Sequence, residues 1–192
     1  IEEVRGAQPI EGVGTSTGAF VGLATKGPIG KAELVANWTQ FVDKFGGLTP
    51  KGYLGYAVNQ FFAEGGTRCY ISRTCHYDAT TKKATAKAAE FTLKDAGNAD
   101  TFKVTATSEG EGGNDISVKI EAAGNGAATS FKLSVLQRNI TEPVEIFDDL
   151  SFDKTSEDYI ETRIDKVSKY IIIDPPAAPA RPKDASFPLA GG

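Results

Sequence analysis

The chain has 192 residues, 40% of them hydrophobic, and a net charge of −4. That length suffices for one packed domain or two small ones. The mild negative charge, with no basic stripe, argues against a nucleic-acid groove, and no apolar run approaches a membrane span. The only two cysteines, Cys69 and Cys75, do not amount to a disulfide framework and read as reduced thiols.

No methionine occurs anywhere, and the chain opens on Ile1, Glu2, Glu3 and Val4. A natural chain starts with methionine unless processed, so a piece of a longer polypeptide is expected. Ile1 to Val4 forms a short extended candidate, separated from the rest by "RGAQPIEGVGTSTG". A lone terminal strand leaves its own backbone groups unpaired and must find a partner, in this chain or in a neighbour.

Gly12, Gly14 and Gly18 resemble a dinucleotide loop, but the last interval is one residue too long for G-x-G-x-x-G. These glycines lead into a short apolar run, Ala19 to Ala24, without a helical period, so no helix N-terminus awaits a pyrophosphate. Gly22 and Gly27 have the interval of an ATP-type loop, yet Pro28 stands where the lysine belongs and has no N–H to offer. The segment reads as a flexible lead, one buried strand and a Lys-Gly-Pro turn.

A brief strand over Ala32 to Val35 comes next. Asn37 then suits a helix N-cap, with Gln40 three residues on. Trp38, Phe41, Val42 and Phe45 keep helical spacing until Gly46-Gly47. A second helix is expected over Tyr53 to Glu64, with Leu54, Ala57, Val58, Phe61 and Phe62 on one face and Gly65-Gly66 at its end. Arg68 to Arg73 reads as a strand. The resulting β-α-α-β unit suits two parallel strands with helices on one face.

From Thr74 the texture changes. "YDATTKKATAKAAE" reads as a polar linker. Short alternating runs come after it at Glu90 to Leu93, Thr101 to Thr107, Ile116 to Glu121, Ser130 to Leu136 and Val144 to Phe147, separated by Gly/Asn/Asp clusters such as "EGEGGND". Ser156 to Val167 carries Tyr159, Ile160, Ile164 and Val167 at helical spacing, and Tyr170 to Ile173 is a last strand. This half reads as a small β-barrel or sandwich with one helix. The closing "DPPAAPARPKDASFPLAGG" reads as an extended return path, because its prolines oppose regular structure. The fold class expected is thus α/β (α+β): a β-α-α-β unit interrupted by a small β domain.

Catalytic chemistry finds little support. His76 is the only histidine, too few for a zinc site, and no G-x-S-x-G elbow offers a serine. The pairs Asp148-Asp149 and Glu157-Asp158 are adjacent in sequence, which does not set two carboxylates across a sugar. "NDISVKIEAAGNG" lacks the register of a calcium loop. An interaction protein fits better than an enzyme, and no cofactor is expected.

Several stretches, in order, resemble the contractile tail sheath family of myophages, bacteriocin particles and related injection systems. "IEEVRGAQPIEGVGTSTGAFVGLATKGPIGKAELVANWTQFVDKFGG" looks like the family's N-terminal signature, and "YLGYAVNQFFAEGGTRCYISR" is similar to the helix-strand that comes after it. "VTATSEGEGGNDISVKI", "VEIFDDLSFDKTSEDYIETRID" and "KYIIID" resemble the inserted domain, and "FPLAGG" its re-entry. The resemblance implies a structural subunit that stacks as hexameric rings around an inner tube and contracts. It divides the chain into an arm and linker (1–18), the N-terminal part of a core domain (19–74), a linker (75–86), an outer β-rich insertion (87–174) and a return segment (175–192). The family's C-terminal domain would be missing beyond Gly192, leaving the core domain incomplete. Ile1, Glu2, Glu3 and Val4 would be the arm strand that pairs with a neighbouring subunit, and Gly12, Gly14 and Gly18 its hinge. The implied partners are other sheath subunits, the inner tail tube protein, and baseplate and tail terminator proteins. No nucleic acid or membrane insertion is implied. The implied location is a virion tail, or the bacterial cytoplasm during assembly, before release of the particle. A competing expectation is a cell-surface or glycan-binding adhesin, whose platform would come from Phe102, Phe131, Phe147, Phe152, Tyr159 and Tyr170.

Overall fold

The computed structural model describes residues 17–174 and 180–192. Ile1 to Val4, Gly12 and Gly14 lie outside the described residues. The rest is a mixed α+β structure, mostly sheet, with two separate hydrophobic cores.

The smaller, inner unit contains β1 (Thr17–Gly22), β2 (Ala32–Val35), α1 (Trp38–Phe45), α2 (Leu54–Ala63) and β3 (Arg68–Arg73). Its sheet has the order β1-β3-β2, with β1 parallel and β2 antiparallel to β3. Period-two alternation decides which residues face the helices. Cys69, Ile71 and Val35 are fully buried there, against Phe41, Phe45, Leu54 and Val58. Trp38 stacks on Phe41 and Phe41 on Phe45, with centroids 5.2 and 5.6 Å apart.

Local chemistry sets the helix ends. The Gln40 backbone N–H donates to Asn37 Oδ1 at 2.8 Å, while Gln40 Oε1 accepts from the Ala36 N–H at 3.0 Å. The reciprocal cap is therefore made, but one residue further back than the usual capping box. At the end of α1, Gly46 takes φ 87°, which a side chain would disfavour. Helix α2 closes with a paired motif, Gly65 N–H to Phe62 O at 3.2 Å and Gly66 N–H to Phe61 O at 2.9 Å.

The strand expected from Ala19 begins two residues earlier, and this corrects the reading of Gly18. Gly18 lies inside β1, opposite Cys69 in the ladder. A Cβ there would stand 2.9 Å from the Phe20 ring and 3.2 Å from the Phe61 ring. Its role is close packing under two aromatic rings that meet edge to face at 5.5 Å, and the ladder denies it the freedom of a swivel.

The larger, outer unit holds β4 (Ala88–Lys94), β5 (Asp100–Glu109), a 3-10 turn (Glu111–Asp115), β6 (Ile116–Ala122), β7 (Phe131–Gln137), β8 (Glu145–Leu150), α3 (Ile160–Ile164), β9 (Ile171–Asp174) and β10 (Ala185–Pro188). It forms two antiparallel sheets, β4-β5-β9 and β10-β6-β7-β8, around one core. Phe102 stacks on Phe131 at 6.1 Å, and both touch Phe152.

Three expectations change here. The sheets do not close into a barrel. One side is bridged, Glu90 with Ala190, but no ladder joins β8 to β9 among the described residues. Buried Ile160 and Ile164 of α3 belong to the same core, and α3 packs against both β8 and β9. Glu145, at the start of β8, accepts from Ser168 Oγ at 2.6 Å and from the Lys169 N–H at 2.9 Å, fastening the segment that leads into β9.

The helix expected over Ser156 to Val167 shrinks to five residues. Ahead of it, Ser151 and Asp153 side chains accept backbone N–H groups two residues on, and Ser156 Oγ does the same for Asp158. Such local bonds compete with the helix, and a parallel bridge between Ser151 and Tyr159 delays its start. Third, the proline-rich return segment contains a strand. β10 is an edge strand on β6, and Pro188 ends it, where a missing N–H is tolerated. Phe187 and Leu189 bury themselves in the outer core.

Candidate interaction surfaces and the seam between the units

Among the described residues, the β1-β3-β2 sheet has helices on one face only. Its ladder sets Ala19, Tyr70 and Leu34 in one row of the other face, and Val21, Ser72 and Ala32 in the next. Val21 is 74% exposed, Tyr70 46% and Leu34 44%. An exposed apolar face of this kind marks a contact site, so it is a candidate contact surface. A second exposed group surrounds the start of α2. Tyr53 and Tyr56 point to solvent there, and a Cβ on Gly52 or Gly55 would meet Leu23 or Leu48, which are themselves half exposed.

The two units meet along a polar seam. Arg73, at the end of β3, is only 4% exposed. Its Nε donates to Ala24 O at 3.0 Å, and its Nη1 donates to Gly27 O and to Glu109 O, each at 2.7 Å. The first two carbonyls belong to the inner unit and the third to the end of β5. Burial holds the guanidinium below its ordinary basicity, while neighbouring Glu109 opposes that shift. Beside it, the Gly27 N–H donates to Ser108 Oγ at 2.7 Å and the Gly112 N–H to Thr25 O at 2.9 Å. Lys51 pairs with Glu111. Asn114 bonds both ways with Gly192, accepting from its N–H at 3.0 Å and donating to its carbonyl at 3.1 Å. The run "EGEGGND", expected only to separate strands, thus forms most of the outer side of the seam. Gly110 has φ 103°, and a Cβ on it would overlap Arg73 Nη2. A glycine cluster beside a strand end was a visible signal of close approach, but the burial of Arg73 had none. Clefts of about 520 and 620 Å³ border the seam, the first lined by Lys26, Asp43, Ser108 and Lys169, the second by Thr25, Glu111, Asn114 and Arg138.

The residues weighed for chemistry are dispersed. His76 is exposed, and its carbonyl accepts from the Thr85 N–H at 3.0 Å. That bond belongs to a small folded loop, with a bridge between Tyr77 and Ala84, where a plain linker was expected. Asp148 accepts from the Gly124 N–H at 3.0 Å and the Asp149 N–H at 2.8 Å, and the Gly124 bond chiefly holds its carboxyl below the ordinary range. Asp149 accepts from the Asn125 N–H. This acidic pair fastens the β6–β7 turn. Asp158 pairs with Arg163. Among the described residues no group of three His, Cys, Asp or Glu side chains could hold a metal ion, and no helix is long and apolar enough to cross a membrane. Both cysteines are free. The aromatic platform expected of an adhesin does not form as a surface. Phe102 and Phe131 are at most 1% exposed, Phe147 5% and Tyr159 8%, so they are core.

No family model matches the chain, and no curated protein matches it. Solved structures do. A sheath tail protein from Listeria innocua aligns over 92% of this chain with a TM-score of 0.62 and 15% identity. A sheath tail protein from Desulfitobacterium hafniense aligns over all of it with a TM-score of 0.57 and 15% identity. The chain spans 33% and 38% of the lengths of those two proteins. At this identity the likeness is one of fold, and that fold is sheath-like.

Proposed function

We propose that this chain belongs to a structural subunit of a contractile tail sheath, which stacks in hexameric rings around an inner tube and contracts to drive the tube through a target envelope. The observation that carries this reading is the fold, shared with two sheath tail proteins over nearly the whole chain. The bare face of the inner sheet supports it, because a surface rich in Val21, Tyr70 and Leu34 suits further polypeptide better than water.

In this reading the inner unit is the N-terminal part of the core domain, and the outer unit, with β10 of the return segment built into it, is an outward-facing insertion that follows the folded loop around Tyr77 and Ala84. The residues ahead of β1 are the arm and its linker. Ile1, Glu2, Glu3 and Val4 add as a strand to a neighbouring subunit, and Gly12 and Gly14 let that arm swivel. Each such backbone bond nets only about 0.5–1.5 kcal/mol. Repetition around rings and along the tube multiplies it, so a metastable lattice needs no fuel molecule and no active site. Tube, baseplate and tail terminator proteins are the further partners, within a virion tail or related particle assembled in a bacterial cytoplasm. Negative-stain microscopy of the full-length gene product tests the proposal. Tubes of stacked rings are expected, and a product that stays monomeric at all concentrations, by light scattering, would overturn it.

A further inference from the structure

We infer that Arg73 is a latch that holds the inner and outer units in one fixed orientation. The two units have separate cores, and the chain passes from one to the other after β3. Interfaces of this polar kind between units of one chain usually permit relative motion. Here Arg73 stands at the centre of the bonds that oppose that motion. Arginine carries five donors in a rigid planar fork, and a carbonyl from the other unit takes the second Nη1 donor beside one held by its own unit. The Ala24 and Gly27 carbonyls fix the guanidinium in the inner unit, and Glu109 O docks on it from the outer unit.

Other seam contacts flank that docking. Gly110 is the next residue after Glu109, and its lack of a Cβ is what lets the outer backbone come down on Nη2. The bond from the Gly112 N–H to Thr25 O lies one turn further on. On the other side of Glu109, Ser108 receives the Gly27 N–H. The clefts that flank the seam leave room for the units to tilt once the guanidinium is gone. A lysine would offer one point charge where the guanidinium uses two nitrogens held in a plane, Nε toward Ala24 O and Nη1 toward Gly27 O and Glu109 O. The inference stands on the seam alone and is independent of the sheath reading.

The test uses the full chain, labelled for NMR. In the wild type, residual dipolar couplings from β1–β3 and from β5–β7 fit a single alignment frame, and the Gly27 and Gly112 amides are protected from exchange. In Arg73→Ala those two amides exchange at least about tenfold faster, as expected for loss of a charge-assisted bond, and the two units require separate frames. Amides within β3, β6 and β7 keep their protection. Gly110→Ala provides the second variant, disturbing the same guanidinium from the outer side while leaving the sequence of β3 unchanged. A wild type that already needs two frames overturns the latch, as does a variant whose seam amides stay protected. Loss of β3 protection in both variants also overturns it, for then Arg73 is a core support and not a latch.

Discussion

Phe131→Ala should unfold the outer unit first and leave the inner one behind. Phe131 is fully buried, stacked 6.1 Å from Phe102 and 5.4 Å from Phe152, at the middle of the outer core. Truncating such a ring removes its transfer free energy and leaves a cavity, a loss of about 3–5 kcal/mol. Urea slopes for small units are roughly 1–3 kcal/mol per molar, so at a slope of about 2 the outer transition should fall by about 1.5–2.5 M. The one tryptophan, Trp38, sits against the other core, which shares no residue with the first. Its fluorescence therefore reports the inner unit, while the NMR amide signals of β5, β6 and β7 report the outer one. The midpoint seen by the β5–β7 amides should drop by the full amount and the Trp38 midpoint by less than half of it. Coincident shifts of equal size would refute the division into two cores, and a loss under about 1.5 kcal/mol would refute the packing argument.

Asn37→Ala should cost about 1 kcal/mol of inner-unit stability, because the Gln40 N–H loses its cap acceptor, and Trp38 fluorescence during urea unfolding measures it. Val21→Asp, at a 74% exposed position on the bare sheet face, should change stability of this chain by no more than about 0.5 kcal/mol. The same change in the full-length product should abolish tube formation under the microscope if that face is covered in the assembly. Asp165 gives a pH signature. Burial pushes its carboxyl up, the Ile173 N–H pulls it down and Glu161 adds to the rise. A carboxyl raised in the folded state favours folding most at low pH and loses that contribution as pH rises through its folded value. Asp165→Asn keeps an oxygen for the Ile173 N–H, so the variant should gain slightly at pH 7 and lose its advantage below the ordinary carboxylate range. Thermal melts at the two pH values check this, and an advantage that grows on acidification would contradict the sign.

Elements that rest on near neighbours were legible without coordinates. Asn37 and Gln40 announce the start of α1, and Gly46 and Gly65 mark two helix ends, because caps and positive φ are settled within a few residues. Alternation alone located β5, β6 and β7 to within a residue or two, since a half-buried strand repeats every second position. What needed the fold was everything decided across the chain. Pro188 could end a strand only because β6 offered it an edge position. Helix α3 lost its first turn to a bridge with Ser151. Gly18 became a packing contact once Phe61 arrived from α2. Arg73 looked like the polar end of a strand, and it is buried because carbonyls from Ala24, Gly27 and Glu109 converge on it. Local propensity is written residue by residue, whereas burial of a charge or closure of a sheet is a free-energy balance among groups distant in sequence, and only tertiary contact strikes it.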